Sequence, residues 1–332
     1  MDCSIGSGRD SGVSRTARQG ATAATAASKL VAELLQRCEF PSAQPGVVQH
    51  LNCAVSGGAD STALLVLAVA TGAQVTAHHV DHALRADSDQ EASLVAEVSE
   101  RLGAKFVSLK AVVEPGGDLE ARARAARREV LPADALYGHT ADDQAETLMI
   151  RLMRGTGPAG LAGMRSLQHP LLGLRRSETE LLCAELGVQP FSDPSNTDPR
   201  FVRNRVRHEV LPLLNTVSAR DVTPLLCRLA DLCAEQADLI STLAQTQDPT
   251  DAKQLAALPP PLAAEVLRLW WIRATGIGYP PDAAAIDRIL CVAAGESVSC
   301  QVSSGWSVLR SGGRLSLQQD TASGTATVEA HE

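Results

Sequence analysis

Three clusters of residues in this 332-residue chain have the types and spacing that chemistry requires. The first is Ser56-Gly57-Gly58-Ala59-Asp60-Ser61, set between an apolar run ending at Val55 and a second from Ala63 to Ala70. The flanks read as a buried strand and a buried helix. The paired glycines let the backbone turn sharply and let a ligand approach it. A strand, a Gly-Ser loop and a helix N-terminus together aim unpaired N–H groups and partial positive charge at one point, which suits phosphate. No Gly-Lys-Ser/Thr follows, so this is not a Walker A loop, and the Gly-x-Gly-x-x-Gly of a dinucleotide fold is absent. An ordinary Gly-rich turn is the plain alternative.

The second cluster runs from His139 through Asp142, Asp143 and Glu146. Carboxylates in the first turns of a helix complement its macrodipole, which would explain them on an isolated helix. Here they follow a strand, which favours a site. In the third cluster, Arg200, Arg203, Arg205 and Arg207 fall within eight residues, with no acidic residue until Glu209. A charge run is usually a solvated face, but in a chain of net charge −8 this one suggests contact with phosphate. Arg122, Arg124, Arg127 and Arg128 share an earlier helix, and Arg151 and Arg154 close the helix of the acidic cluster.

Alternating elements must position these clusters. Strands are expected over 47–55, 74–80, 105–109 and 135–138, and helices over 23–39, 63–70, 88–102, 119–130 and 142–154. That order implies an α/β fold with a doubly wound parallel sheet, whose ligands bind beyond the strands' carboxyl ends. Ser56, Asp81 and His139 fall at three such ends and should converge on one crevice. The segment 155–164 reads as an ordered Gly-rich loop, 177–186 as a helix, and Asp193 to Asp198 as a turn before the arginine helix. From about residue 219 the character changes. Helices are expected over 222–247, 262–274 and 282–293, with Leu225, Leu226, Leu229, Leu232 and Leu239 inward, and then a hairpin from 297–308 and 314–318. The expected division is a disordered extension (1–25), an α/β domain (26–215), a mainly helical domain with no chemistry of its own (219–320) and a disordered tail (321–332).

Composition narrows the classes. The eight cysteines form no Cys-x-x-Cys pair, so neither zinc nor a redox dithiol is signalled. No apolar run reaches the roughly 18–20 residues of a membrane span. The net charge of −8 argues against a protein that coats nucleic acid indiscriminately, though a local basic surface remains compatible with it.

The Ser-Gly-Gly-x-Asp-Ser loop resembles that of the N-type ATP pyrophosphatases, or PP-loop enzymes. With the later motifs the chain resembles a tRNA(Ile)-lysidine synthetase. Those motifs are His79-Val80-Asp81-His82-x-Leu84-Arg85, Leu119-Glu120-Ala121-Arg122, Gly138-His139-x-x-Asp142-Asp143-x-x-Glu146-Thr147 and the glycine loop from Arg154 to Met164. Pro170-Leu171-Leu172, Asp193-x-Ser195-Asn196-x-Asp198 and Arg203-Asn204-x-x-Arg207 complete them. Two positions depart from the family pattern: His169 stands where an Arg precedes Pro-Leu-Leu, and Arg128 where a Tyr is common.

The resemblance implies a cytoplasmic ligase using ATP and Mg²⁺. It would adenylate C2 of the wobble cytidine in the isoleucine tRNA with a CAU anticodon. The ε-amine of free L-lysine would then displace AMP. It also implies roles. Ser56, Gly57, Gly58, Ala59, Asp60, Ser61, Asp81 and His139 would bind ATP, Asp60 and Asp143 the metal, and Asp142, Asp143 and Glu146 lysine. Asp60, Asp142, Asp143 and Glu146 would be catalytic, and Arg122, Arg154, Arg203, Arg205 and Arg207 would contact tRNA. A homodimer is compatible with this reading. The rivals are a PP-loop tRNA sulfur transferase, for which Cys53 is poorly placed inside a strand, and a non-catalytic nucleotide-binding module.

Overall fold

A computed structural model describes residues 29–42, 46–81, 88–111, 119–191, 198–303, 305–319 and 326–327. The expected extension, most of the tail, and the His82–Arg85 and Asp193–Thr197 parts of the motifs lie outside them. The chain divides into two compact units, Met1–Asp231 and Leu232–Glu332.

In the first unit, α1 (Lys29–Leu35) precedes β1 (His50–Ala54), α2 (Ala59–Ala70), β2 (Gln74–Asp81), α3 (Ser88–Leu102), β3 (Lys105–Lys110), α4 (Leu119–Val130), β4 (Leu136–Tyr137) and α5 (Ala141–Met153). The four strands are parallel in the order β3-β2-β1-β4. The chain winds outward from β1 through β2 to β3, then crosses back to lay β4 on the other side of β1. Strand order therefore reverses between β1 and β4, which opens a crevice at their carboxyl ends. The loop after β1 and His139 after β4 both project there.

The core explains why α2 is apolar all round. Its residues Ala63 to Ala68 have no exposed surface, because the helix is covered by the sheet on one side and by α1 and later elements on the other. Gly138 permits a close approach at the crevice. A Cβ there would stand 2.5 Å from the Asp60 carbonyl oxygen, so only glycine lets the end of β4 meet the first turn of α2.

The Gly-rich stretch after α5 is less of a loop than expected, since Pro158–Leu161 makes a helical turn, α6, with proline at its start. Then α7 (Arg176–Glu185) packs on α2. The arginine segment is helical in three pieces: α8 (Val202–Arg205), a π-turn (Val206–Val210) and α9 (Leu211–Ser218). Pro212 lacks an N–H and crowds the carbonyl four residues back, and the wider π-turn just before it accommodates both effects.

α10 (Thr223–Ala244) runs on into the second unit and corrects an expectation. Leu225, Leu229, Leu232 and Leu239 are exposed, whereas Ala230, Cys233 and Ala244 are buried. Two apolar rows lie side by side on this helix, and the row of small residues is the one that packs. In the second unit α11 (Ala252–Ala257), α12 (Pro260–Thr275) and α13 (Ala283–Ala294) pack with β5 (Ser299–Gln301), β6 (Trp306–Ser311) and β7 (Arg314–Gln319) around Trp271 and Trp306. The β6–β7 hairpin turns at Gly312-Gly313, both with positive φ. The expected strand over 297–308 is two strands, and Ala326–Thr327 adds a short fourth, β8, to the sheet.

Candidate active site

The crevice at the switch point is a cavity of about 430 Å³, bordered by Ser56, Asp60, Ser61, His79, His139 and Asp143 among others. Gly57 adopts φ +86°, a left-handed conformation that glycine alone reaches without strain, and its carbonyl accepts Phe191 N–H at 2.9 Å. Ser56 N–H donates to Ser61 Oγ at 3.1 Å, and that hydroxyl donates to Gly58 O at 3.0 Å, which closes the loop onto the helix it precedes. Gly58 caps α2 with no side-chain hydrogen bond, so the N–H groups of the first turn are left for an anion. Gly57, Gly58 and Ala59 shape this turn, whereas Ser56, Asp60 and Ser61 face the cavity. Asp81 ends β2 opposite Lys110, and its neighbour Val80 is the residue at the cavity wall.

Across the cavity, α5 starts with a carboxylate that serves its own helix. Asp143 Oδ2 accepts Thr140 N–H at 2.9 Å and Thr140 Oγ at 3.1 Å. Around it the acidic cluster is matched charge for charge. Arg175 grips Asp142 through Nε at 3.1 Å and Nη2 at 2.9 Å, and the Arg176 backbone N–H adds a bond at 2.8 Å. Arg176 reaches Asp143 at 3.0 Å, Glu146 at 3.3 Å and Asp60 at 3.4 Å. Arg203 donates to Glu146 at 2.7 Å and Arg207 to Glu146 at 2.6 Å. Four carboxylates (Asp60, Asp142, Asp143, Glu146) thus face four guanidiniums (Arg175, Arg176, Arg203, Arg207).

Protonation follows from this balance. Burial pushes the Asp142 and Asp143 carboxyls up, but the arginines outweigh it and hold both below the usual carboxylate range. Asp60 goes the other way. Burial, helped by the charge of Asp143, pushes it up to about 6 against hydrogen bonds from Thr179 and Arg176. Burial also lowers His139 to about 3 and His169 to about 4. The two rings meet edge to face with their Nδ1 atoms 3.0 Å apart, so one donates and the other accepts.

Among the described residues no group of three or more His, Cys, Asp or Glu side chains could hold a metal unaided. Asp60 and Asp143 nevertheless suit a divalent cation that takes its remaining ligands from phosphates. Each carboxylate disfavours the other's charge, and Arg176 supplies the positive charge between them.

The expected contacts of Glu146 and of two arginines depend on breaking these ion pairs. Glu146 has no exposed surface, and Arg203 and Arg207 are both bound to it. Arg205 is exposed and paired with Glu209, Arg154 is exposed at the end of α5, and Arg122 is half-buried on α4. Cys53, central to the sulfur-transferase rival, lies in the core with its thiol pushed up to about 12 by burial. Arg175 and Arg176 were not among the expected site residues, yet both bind the acidic cluster. A signal was available: they stand at the start of α7, where the macrodipole disfavours cations unless carboxylates face them.

A second cavity of about 310 Å³ adjoins the first through Arg127, Tyr137 and His139. Its wall includes Arg124, Arg128, Arg151 and His169. Both departures from the family pattern, Arg128 and His169, therefore lie on it.

A parallel sheet with a Gly-Ser phosphate loop at its switch point and carboxylates across the crevice defines a PP-loop nucleotide-binding domain. The family model described as the PP-loop domain matches residues 29–214, and that of the TilS substrate binding domain matches residues 251–316. The chain is 38% identical over 237 residues to the tRNA(Ile)-lysidine synthase of Rhodococcus erythropolis, covering 66% of this chain and 73% of that one. It is 41% identical over 246 residues to the enzyme of that name from Mycobacterium leprae, covering 68% and 76%. The chain belongs to the tRNA(Ile)-lysidine synthase family. Among solved structures, a U34-tRNA thiolase from Methanococcus maripaludis aligns with a TM-score of 0.45 and 15% identity, over 65% of this chain and 80% of that one.

Proposed function

We propose that this chain is a cytoplasmic ATP-dependent C–N ligase that converts the wobble cytidine of a CAU-anticodon isoleucine tRNA to lysidine. The observation carrying this reading is the 430 Å³ cavity, in which the phosphate loop, Asp60, His139 and Asp143 meet at the switch point of a PP-loop domain.

The cytidine C2 oxygen attacks the α-phosphate of ATP and pyrophosphate leaves. The lysine ε-amine then adds to C2, AMP departs with the C2 oxygen, and the amine proton passes to a carboxylate of the cluster. Ser56, Ser61 and the N–H groups of Gly58, Ala59 and Asp60 cradle the phosphates, with Gly57 setting the turn. Neutral His139 borders the nucleotide, and Asp81 steadies the end of β2. Asp60 and Asp143 would hold Mg²⁺, which supplies charge neutralisation on the departing pyrophosphate.

Lysine binding proceeds by exchange. Its ammonium groups replace guanidiniums at Asp142, Asp143 and Glu146, and the released Arg203 and Arg207 turn to tRNA phosphates alongside Arg122, Arg154 and Arg205. Mixing protein, ATP, Mg²⁺, L-lysine and unmodified tRNA, and measuring AMP and pyrophosphate, tests the reading. Release of both only when tRNA and ATP are present together supports it. Release independent of tRNA opposes it.

A further inference from the structure

The three carboxylates expected to hold lysine are not themselves held alike. Glu146 has no exposed surface and lies within ion-pair distance of Arg176, Arg203 and Arg207. Asp143, 10% exposed, meets the same three arginines. Asp142 is the most open of the three at 18%, and among the described residues the guanidinium within that distance of it is that of Arg175 alone.

The two oxygens of Asp142 are anchored differently. Oδ2 accepts the Arg176 backbone N–H at 2.8 Å as well as Arg175 Nε at 3.1 Å. Oδ1 accepts from the Arg175 side chain, Nη2 at 2.9 Å and Nε at 3.3 Å. If the Arg175 side chain leaves, the backbone bond keeps the carboxylate in place while Oδ1 is opened to a ligand.

Arg175 also has a second carboxylate to hold. Its Nη1 donates to Asp221 Oδ2, just before α10, and Asp221 Oδ1 accepts Thr223 N–H at 3.0 Å, which fixes that carboxylate in turn. The pair is open to solvent, with the Arg175 side chain 32% and that of Asp221 43% exposed, so the guanidinium can move. An ammonium arriving at Asp142 exchanges one charge-assisted contact for another. The cost of that exchange is set by where the displaced guanidinium goes, and Asp221 keeps it paired.

Resting on the proposed reaction, we infer that Arg175 is an exchangeable counter-ion of the lysine site. It occupies Asp142 while the site is empty and retreats to Asp221 when a lysine ammonium replaces it. Asp221 is a positioning residue that raises lysine affinity without touching lysine.

The test measures binding of ¹⁴C-L-lysine to the full chain by equilibrium dialysis with ATP and Mg²⁺ present. Wild type is compared with Asp221→Asn, Arg175→Gln and the double variant. Asn still caps Thr223, and Arg175→Gln leaves untouched the backbone N–H that bonds Glu178 at 2.8 Å, so both folds should survive. Asp221→Asn should raise the lysine Kd and Arg175→Gln should lower it, each by about threefold or more, the size of a partly exposed ion pair. The double variant should match Arg175→Gln, because Asp221 acts through Arg175. ATP binding should not change in any of them.

A static brace on Asp142 would weaken lysine binding in both single variants, and that result overturns the exchange. So does an unchanged Kd in both. A double variant restored to wild-type affinity overturns it too, since charge acting through space would then account for the two opposite shifts. AMP release with tRNA, measured on the same proteins, separates the two proposals. If wild type shows the predicted lysine shifts but releases no AMP, the proposed reaction fails while the exchange stands. If AMP release depends on lysine but the shifts share one sign, the exchange fails while the reaction stands. If wild type neither binds lysine nor releases AMP, both fail.

Discussion

Arg207 donates to Glu146 through Nε at 2.6 Å and Nη2 at 3.1 Å, fixing the arginine helix to the acidic helix across 61 positions of sequence. Glu146 has no exposed surface and accepts from Arg203 and Arg176 as well. A buried carboxylate with three guanidinium partners organises the site before any substrate arrives.

Glu146→Gln removes that organiser and leaves half-buried guanidiniums under-matched. Breaking a buried ion pair by deleting one partner costs about 3–5 kcal/mol. The variant should unfold at clearly lower denaturant with an unchanged m-value, and the protein that remains folded should need at least tenfold more lysine. Wild-type stability would mean that the arginines find other partners.

Asp60 gives a pH signature. Its carboxyl is raised to about 6 in the folded chain, above the unfolded value near 4. The folded state therefore holds the proton more tightly, and stability falls as pH rises from about 4 through 6. Asp60→Asn should stabilise the protein at pH 7 by up to about 3 kcal/mol, the free energy of a two-unit shift. Below pH 4 that gain should vanish, and adenylation should be lost at every pH. Thermal melts at pH 7 and pH 4 decide it. Mg²⁺ with ATP should also shift the acid limb of the wild-type activity profile below pH 6, because a cation at Asp60 favours its ionised form.

Much of this was legible in the sequence, for a physical reason. The loop, Asp142, Asp143 and His139 sit at strand-to-helix junctions, where local pattern and long-range position coincide. The strands β1 to β3 and helices α3 and α4 follow periodicity closely. What escaped were relations between distant segments. That Arg203 and Arg207 pair with Glu146, rather than standing free, depends on α8 and the π-turn after it docking against α5, which no local pattern encodes. Leucine count misdirected the reading of α10, because Ala230, Cys233 and Ala244 allow the closer approach and are the residues buried.

Gly138→Ala should disable the site without a polar change. The new Cβ would meet the Asp60 backbone oxygen at 2.5 Å, so either β4 or the start of α2 must move. Overpacking of this kind costs about 1–3 kcal/mol, and the displaced loop should lower kcat/KM for ATP at least tenfold. Gly155→Ala is the control. Its φ is positive but nothing lies within 4 Å, so it should cost about 1 kcal/mol and spare ATP use.

Cys53→Ala should keep activity. The thiol lies in the core with its pKa pushed up to about 12, which disfavours the thiolate that sulfur transfer would need. A stability loss of about 1 kcal/mol with unchanged AMP formation is expected. Abolished turnover in a folded Cys53→Ala protein would favour the sulfur-transferase reading.

Transfer of labelled lysine into RNA tests the central claim most directly. Protein, ATP, Mg²⁺ and ¹⁴C-lysine are incubated with the CAU-anticodon isoleucine tRNA or with the same tRNA carrying uridine at the wobble position, and the nucleosides are then separated. The predicted result is one label per tRNA, confined to the wobble nucleoside, matched mole for mole by AMP, and absent from the uridine tRNA. AMP release with no label in the RNA, or label at the 3′ end only, would contradict it.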